Sequence, residues 1–230
     1  MEFERLEQLV GEKYKNIKAL KVLVLGVGGV GGYVVESLVR CGISKIILVD
    51  FDKVEITNIN RQIIALKSTI GKYKVDVFEE RIKDISPNCE VVKIKEKITL
   101  DNIGLIFDEE VDYIIDACDT INVKKEIIKV CLNKRQKFIS SMGTAQKLDP
   151  SKLVITDLMK TSYDPIAKIL RKYVKDEKLK GKIPVVSSLE QKVDSNKKVL
   201  GSTSFVPSVA GLLITSYIIR EVIENGKDSK

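Results

Sequence analysis

Apolar and polar positions follow two rhythms along this chain, and each change of rhythm marks an element. In residues 1–20, Leu6, Leu9 and Val10 fall at helical spacing and Gly11 punctuates them, so the N-terminus reads as an amphipathic helical arm. The spacing then changes. Residues 22–25 form a continuous apolar run that ends in Gly26-Val27-Gly28-Gly29-Val30-Gly31-Gly32, after which Val34, Val35, Leu38 and Val39 recur at helical spacing. The order is strand, glycine turn, helix. A second apolar run, residues 46–49, closes on Asp50. Residues 74–85 repeat apolar positions at helical spacing, and residues 90–94, 111–115 and 138–140 read as further strands. Beyond Pro150 follow a strand over 153–155, a basic helix over 165–174 and an apolar helix over 207–223. Residues 175–182 and 191–204 are polar, lack periodicity and read as loops.

Strands alternating with helices predict an α/β fold, Rossmann-like, with a mostly parallel sheet flanked by helices and joined by right-handed crossovers. The 230 residues fit a single domain, with the helical arm over 1–20 and a basic C-terminal part over 151–230. Hydrophobic residues at 44% and charged ones at 31% match an ordinary globular composition. The longest apolar segment, 205–219, is interrupted by Pro207, Gly211 and several hydroxyl residues and reads as too short for a membrane span, and residues 1–5 do not read as a secretory signal. The expectation is a cytoplasmic protein with no membrane partner.

A net charge of +7 favours polyanionic partners such as RNA, nucleotides or acidic membrane surfaces, although a lysine-rich solvated surface explains the same composition. The four cysteines, at 41, 89, 118 and 131, form no C-x-x-C pair, and the chain has no histidine. The commonest zinc ligand and the commonest general base are therefore absent. Chemistry here must run on carboxylates, Lys, Arg, Asn or a bound metal.

The glycine turn has a physical use. Its first glycine permits the tight turn, its second lets backbone approach a phosphate, and the following helix N-terminus offers unpaired N–H groups. Asp50 lies 24 residues beyond Gly26, near the offset of an acidic residue that holds a ribose hydroxyl. Those features suit a nicotinamide dehydrogenase equally well. The readings separate after the second strand, at Asp50-Phe51-Asp52-Lys53-Val54-Glu55-Ile56-Thr57-Asn58-Ile59-Asn60-Arg61-Gln62, followed by Gly71-Lys72-Tyr73-Lys74, and at Asp116-Ala117-Cys118-Asp119-Thr120. These segments resemble the adenylating domains of the ThiF/MoeB/HesA superfamily, relatives of ubiquitin-activating enzymes.

That resemblance implies binding of ATP and Mg²⁺. Gly26, Gly28, Gly29 and Gly31 would admit the nucleotide against the backbone, Asp50 would bind ribose with Asp52 and Gln62 nearby, Asn58, Arg61 and Lys74 would hold phosphates, and Asp119 would be the metal ligand. The catalytic set it implies is Arg5, Arg61, Lys74 and Asp119, with Arg5 reaching the ATP of a neighbouring subunit in a homodimer. Within the superfamily, Ser140-Ser141-Met142-Gly143-Thr144-Ala145, Asp149-Pro150, Asp164-Pro165-Ile166-Ala167-Lys168 and Phe205-Val206-Pro207-Ser208-Val209-Ala210-Gly211 resemble the tRNA threonylcarbamoyladenosine dehydratase branch. The substrate it implies is tRNA carrying threonylcarbamoyladenosine, cyclised through adenylation of its threonyl carboxylate, with a sulfur-relay protein as a further partner. Two alternatives stay open: adenylation of a ubiquitin-like sulfur carrier, and a non-catalytic dinucleotide-binding module. Residues 151–200 carry 12 Lys and Arg against 6 Asp and Glu, and Lys168, Arg171, Lys172 and Lys175 share a helical face suited to tRNA phosphates.

Overall fold

A computed structural model describes residues 2–192 and 200–225. The expected loop over 191–204 therefore falls partly outside the described residues, at 193–199. Seven strands form one sheet: β1 (Lys21–Leu25), β2 (Lys45–Val49), β3 (Glu90–Ile94), β4 (Tyr113–Asp116), β5 (Phe138–Ser141), β6 (Leu153–Asp157) and β7 (Pro184–Ser188). Their order is β3-β2-β1-β4-β5-β7-β6, parallel throughout except for β6, which runs antiparallel to β7 at the edge. Strands inside such a sheet are covered on both faces, which is why β1 and β2 read as unbroken apolar runs.

Side chains alternate between two cores. Val22 and Val24 face one, packed by α3 (Gly31–Arg40), α4 (Lys74–Ile85) and α7 (Phe205–Asn225). Leu23 and Leu25 face the other, packed by α5 (Ile121–Lys134) and α6 (Pro165–Asp176). The arm is two short helices, α1 (Glu4–Val10) and α2 (Tyr14–Lys18), broken at Gly11. Of the arm's apolar residues, Ile17 and Leu20 are buried, whereas Leu9 is 81% exposed.

The C-terminal apolar segment is one helix, as its sequence reading has it, extended by two residues at each end so that Pro207 and Gly211 lie within it. By length and composition 205–224 is long and apolar enough to cross a membrane. Pro207 falls in the first turn, where its missing N–H breaks no helical bond. Val206, Ala210, Ile214 and Ile218 recur every four residues and are wholly buried in the core. A Cβ on Gly211 would lie 2.5 Å from the Val30 carbonyl oxygen, so α7 lies directly against α3.

Candidate active site

The sheet order reverses between β1 and β4, which leave in opposite directions, and open α/β sheets bind ligands outside the carboxyl ends of strands at such a point. A cavity of about 340 Å³ opens there. Its floor is the glycine turn. Gly26 has φ +83, and a Cβ on it would meet the Ala117 carbonyl oxygen at 2.9 Å, so only glycine fits without strain. Gly28 and Gly29 line the cavity with Gly26. Gly31 does not. A Cβ on it would lie 1.8 Å from the Gly26 carbonyl oxygen, so its place is to let α3 close against the turn, not to meet a nucleotide.

Asp50 follows β2 at the cavity wall and is 8% exposed. Its carboxylate accepts the Val27 N–H at 2.9 Å and the Asp52 N–H at 2.9 Å, bracing the glycine turn. Burial pushes the Asp50 carboxyl up from its ordinary range, and nearby Lys74 with these two N–H groups only partly offsets that. Lys74, the first residue of α4, is 5% exposed and donates to Asp52 at 2.8 Å while standing 3.9 Å from Asp50. The cavity thus holds one ammonium between two carboxylates.

The crossover after β2 supplies the opposite wall. Asn58 is buried, and its Oδ1 accepts the Glu55 N–H at 3.1 Å in a capping box that closes a 3-10 turn over Ile56–Asn58. Arg61 Nη1 donates to the Thr57 carbonyl at 2.8 Å and to Asn60 Oδ1 at 2.9 Å, and the side chain lines the cavity with the rest of its fork of donors not taken up by described protein groups. Gln62 is 7% exposed, and its Oε1 is buried without a protein partner. An unsatisfied acceptor in a cavity wall costs stability unless a ligand or water completes it.

Asp119 lies exposed at the rim beyond β4. Among the described residues no three His, Cys, Asp or Glu gather as a metal cluster. A hard divalent cation held by one carboxylate plus phosphate oxygens, as Mg²⁺ commonly is, fits that donor set. Behind Asp119 sits a buried pair: Asp116 and Lys124 are both 0% exposed and 2.9 Å apart. Ser140 also donates to Asp116 at 2.8 Å, and Lys124 donates to the Ser141 carbonyl at 2.9 Å, so the ends of β4, β5 and α5 are tied together. Cys118 lines the cavity, but burial, then Asp116 beside it, pushes its thiol far above the ordinary range.

Three lining residues come from elements with weaker signals. Thr144 and Pro207 belong to segments singled out in the sequence, whereas Ser202, whose carbonyl accepts from Asn60 at 3.1 Å, carries no motif. Arg5 is exposed on α1 and does not line this cavity. Its arm packs at the other end of the strands, where Phe3 and Tyr14 approach Gly42 ahead of β2. On α6, Lys168, Lys172 and Lys175 are exposed, but Arg171 is half-buried and donates to the Thr161 carbonyl at 2.9 Å, so it is tied inward and drops out of an open stripe.

Cations and backbone N–H groups beside exposed carboxylates suit the spread of negative charge at a phosphorus atom better than hydrolysis by an activated base. The family model described as "ThiF family" matches residues 4–225. The tRNA threonylcarbamoyladenosine dehydratase of Bacillus subtilis is 40% identical over 97% of this chain and 95% of its own length. That of Escherichia coli is 37% identical over 74% of this chain and 64% of its own length. The solved structure of E. coli tRNA N6-threonylcarbamoyladenosine dehydratase with ATP superposes with a TM-score of 0.93 at 31% identity, covering 100% of this chain and 96% of that one.

Proposed function

The chain belongs to the ThiF family, and from that membership we propose that it is an ATP-dependent dehydratase that cyclises threonylcarbamoyladenosine in tRNA. The observation that carries the reading is the cavity's donor set: a glycine turn, Lys74, Arg61 and the exposed carboxylate of Asp119 line one cavity at a topological switch point. The substrate's threonyl carboxylate attacks the α-phosphorus of ATP, and pyrophosphate leaves. The resulting acyl-adenylate is attacked by the substrate's own carbamoyl group, the ring closes, and AMP leaves. Water is lost overall and ends up in the hydrolysed phosphoanhydride.

This chain's residues do the binding and the charge work. Gly26, Gly28 and Gly29 admit the triphosphate close to backbone, at the turn that leads into α3. Asp50 takes the ribose end while it braces the turn. Lys74 shifts from Asp52 toward phosphate as the anion arrives, and Arg61 and Asn58 hold further oxygens. Asp119 would hold Mg²⁺, which when bound neutralises phosphate charge. Because the nucleophile belongs to the substrate, proximity favours closure and no covalent enzyme intermediate is needed. The enzyme works in the cytoplasm as a homodimer, with Arg5 serving the partner's site and exposed lysines of α6 meeting the tRNA.

The test is nucleoside mass spectrometry of modified tRNA incubated with the protein and ATP. The expected product is lighter by one water and forms with AMP and pyrophosphate. AMP release stimulated by a carrier protein and not by modified tRNA would overturn the reading.

A further inference from the structure

A second cavity, of about 410 Å³, lies at the opposite end of the sheet, where β4, β5 and β7 begin. Four cations line it, Arg135, Lys137, Lys180 and Lys182, against one carboxylate, Glu221. All four are exposed, and among the described residues none pairs with a carboxylate within 4 Å. Arg135 sits at φ 55 on the left-handed turn that caps α5. Lys137 and Lys182 lie over the rings of Tyr113 and Tyr217, at 5.4 and 5.9 Å from their centres. Tyr113 belongs to the same wall, is 2% exposed, and its buried hydroxyl has no protein partner. Four like charges held together in the free protein repel one another, an arrangement that favours a bound anion.

Helix α6 joins this cavity to the first one. Its N-cap, Asp164, accepts the Gly143 N–H at 2.8 Å, next to Thr144 on the rim of the nucleotide cavity. From there α6 runs back along the sheet to the end where β7 starts, and Lys178, Lys180 and Lys182 follow it. The exposed Lys168, Lys172 and Lys175 recur at four and three residues, steps of about 6 and about 4.5 Å at 1.5 Å rise. Two carboxylates interrupt the row at its end, Asp176 and Glu177, and Glu177 faces Lys129 at 3.8 Å.

We propose that the open face of α6 and the second cavity form one track for RNA backbone phosphates, with Arg135, Lys180 and Lys182 seating a phosphodiester at its far end. The charges are strung along an edge of the molecule and not converged on one point, which matches a continuous polyanion. The identity of that polyanion rests on the tRNA reading above; the placement of the track does not.

The test compares wild type with the triple variant Arg135→Asn, Lys180→Ala, Lys182→Ala. Asn at 135 tolerates the left-handed backbone there. All three positions are exposed, so the variant should fold, and none belongs to the nucleotide cavity. Equilibrium binding of unmodified full-length tRNA is measured across a salt series, so the readout needs no turnover. The expected result is weaker binding with a log–log salt slope shallower by about one, since the variant gives up one seated phosphodiester and each neutralised phosphate adds just under one to the slope. ATP binding and turnover at saturating tRNA stay at wild-type values. Wild-type slope and affinity in the triple variant overturn the track, whether or not the wild type dehydrates its substrate. An equal loss on neutralising Lys13, Lys15 and Lys18 of the arm also overturns it. So does saturable binding of inorganic phosphate that the triple variant loses while its tRNA affinity is unchanged, because the cavity would then serve a small anion.

Discussion

Lys74 and Arg61 carry similar charge in one cavity, yet their surroundings predict different consequences of losing them. In the proposed mechanism each acts on phosphate charge, and removing one such group would cost roughly a hundredfold or more in turnover. Arg61 is half-exposed and tied only to Thr57 and Asn60, so Arg61→Ala should lose turnover and keep its melting temperature. Lys74 is buried between Asp50 and Asp52, and Lys74→Ala leaves the Asp50 carboxylate buried without its cation, at a cost of about 1–3 kcal/mol in stability. Turnover assays paired with thermal melts separate the two, and near wild-type turnover in either variant removes its phosphate role. Cys118 makes the contrary case. It lines the cavity, but burial and neighbouring Asp116 hold its thiol protonated, so it is a packing residue and not a nucleophile. Cys118→Ala should keep substantial activity, and a thioester trapped on this residue in wild type would contradict that.

Among elements, α7 shows how a packing helix shapes the site. Gly211 lies against α3, where an added Cβ would meet Val30 oxygen at 2.5 Å and Tyr33 Cβ at 2.9 Å. The same helix carries Pro207, whose Cβ stands 3.4 Å from the position of a Cβ on Gly29. Gly211→Ala should therefore push α7 off α3, costing about 1–3 kcal/mol and several degrees of melting temperature, and raise the KM for ATP, whereas Ser216→Ala on the exposed face should change neither. A melt and an ATP titration unchanged in Gly211→Ala would show that the close approach is not needed. Elements that obey one rhythm were legible in advance: α4 and β3 lie at their expected bounds, and β1 and β2 extend theirs by one residue. Two elements were not. α5 hides its pattern because Lys124, a charged residue, occupies a wholly buried position among Val123, Ile127 and Ile128, so the core face reads as polar. β7 hides because Ser187 and Ser188 are buried beside only Val185 and Val186, and a sheet interior built on serine resembles a loop. The lining of the candidate cavity was legible where a residue type is demanded by backbone or charge, as at Gly26, Lys74 and Asp119. It was illegible where a wall is made by tertiary approach, as at Ser202, and at Gly31, a motif glycine that lies outside the cavity where α3 closes against the turn.

For the whole molecule, the position of the arm decides how a complete site is assembled. The nucleotide cavity lies at the carboxyl ends of β1 and β2, while α1 packs near Gly42, ahead of the start of β2. Arg5 is exposed on that helix and absent from its own chain's cavity. Leu9 on the same helix is 81% exposed, so the arm presents apolar surface that its own chain does not cover. An arginine placed this way serves an ATP site only when another subunit brings its arm there, and closed two-fold assemblies make that contact reciprocal. In a dimer that exchanges arms, each site uses its own Lys74 and the partner's Arg5. Arg5→Ala and Lys74→Ala proteins should each be inactive alone. Mixed in equal amounts with subunits exchanged, half the dimers are hybrids and one of the two sites in each hybrid is intact, so activity should recover to roughly a quarter of wild type. If Arg5 served its own chain, both sites of every hybrid would carry a lesion and mixing would restore nothing. No recovery, with exchange verified by differently tagged subunits, would therefore remove Arg5 from the partner's site.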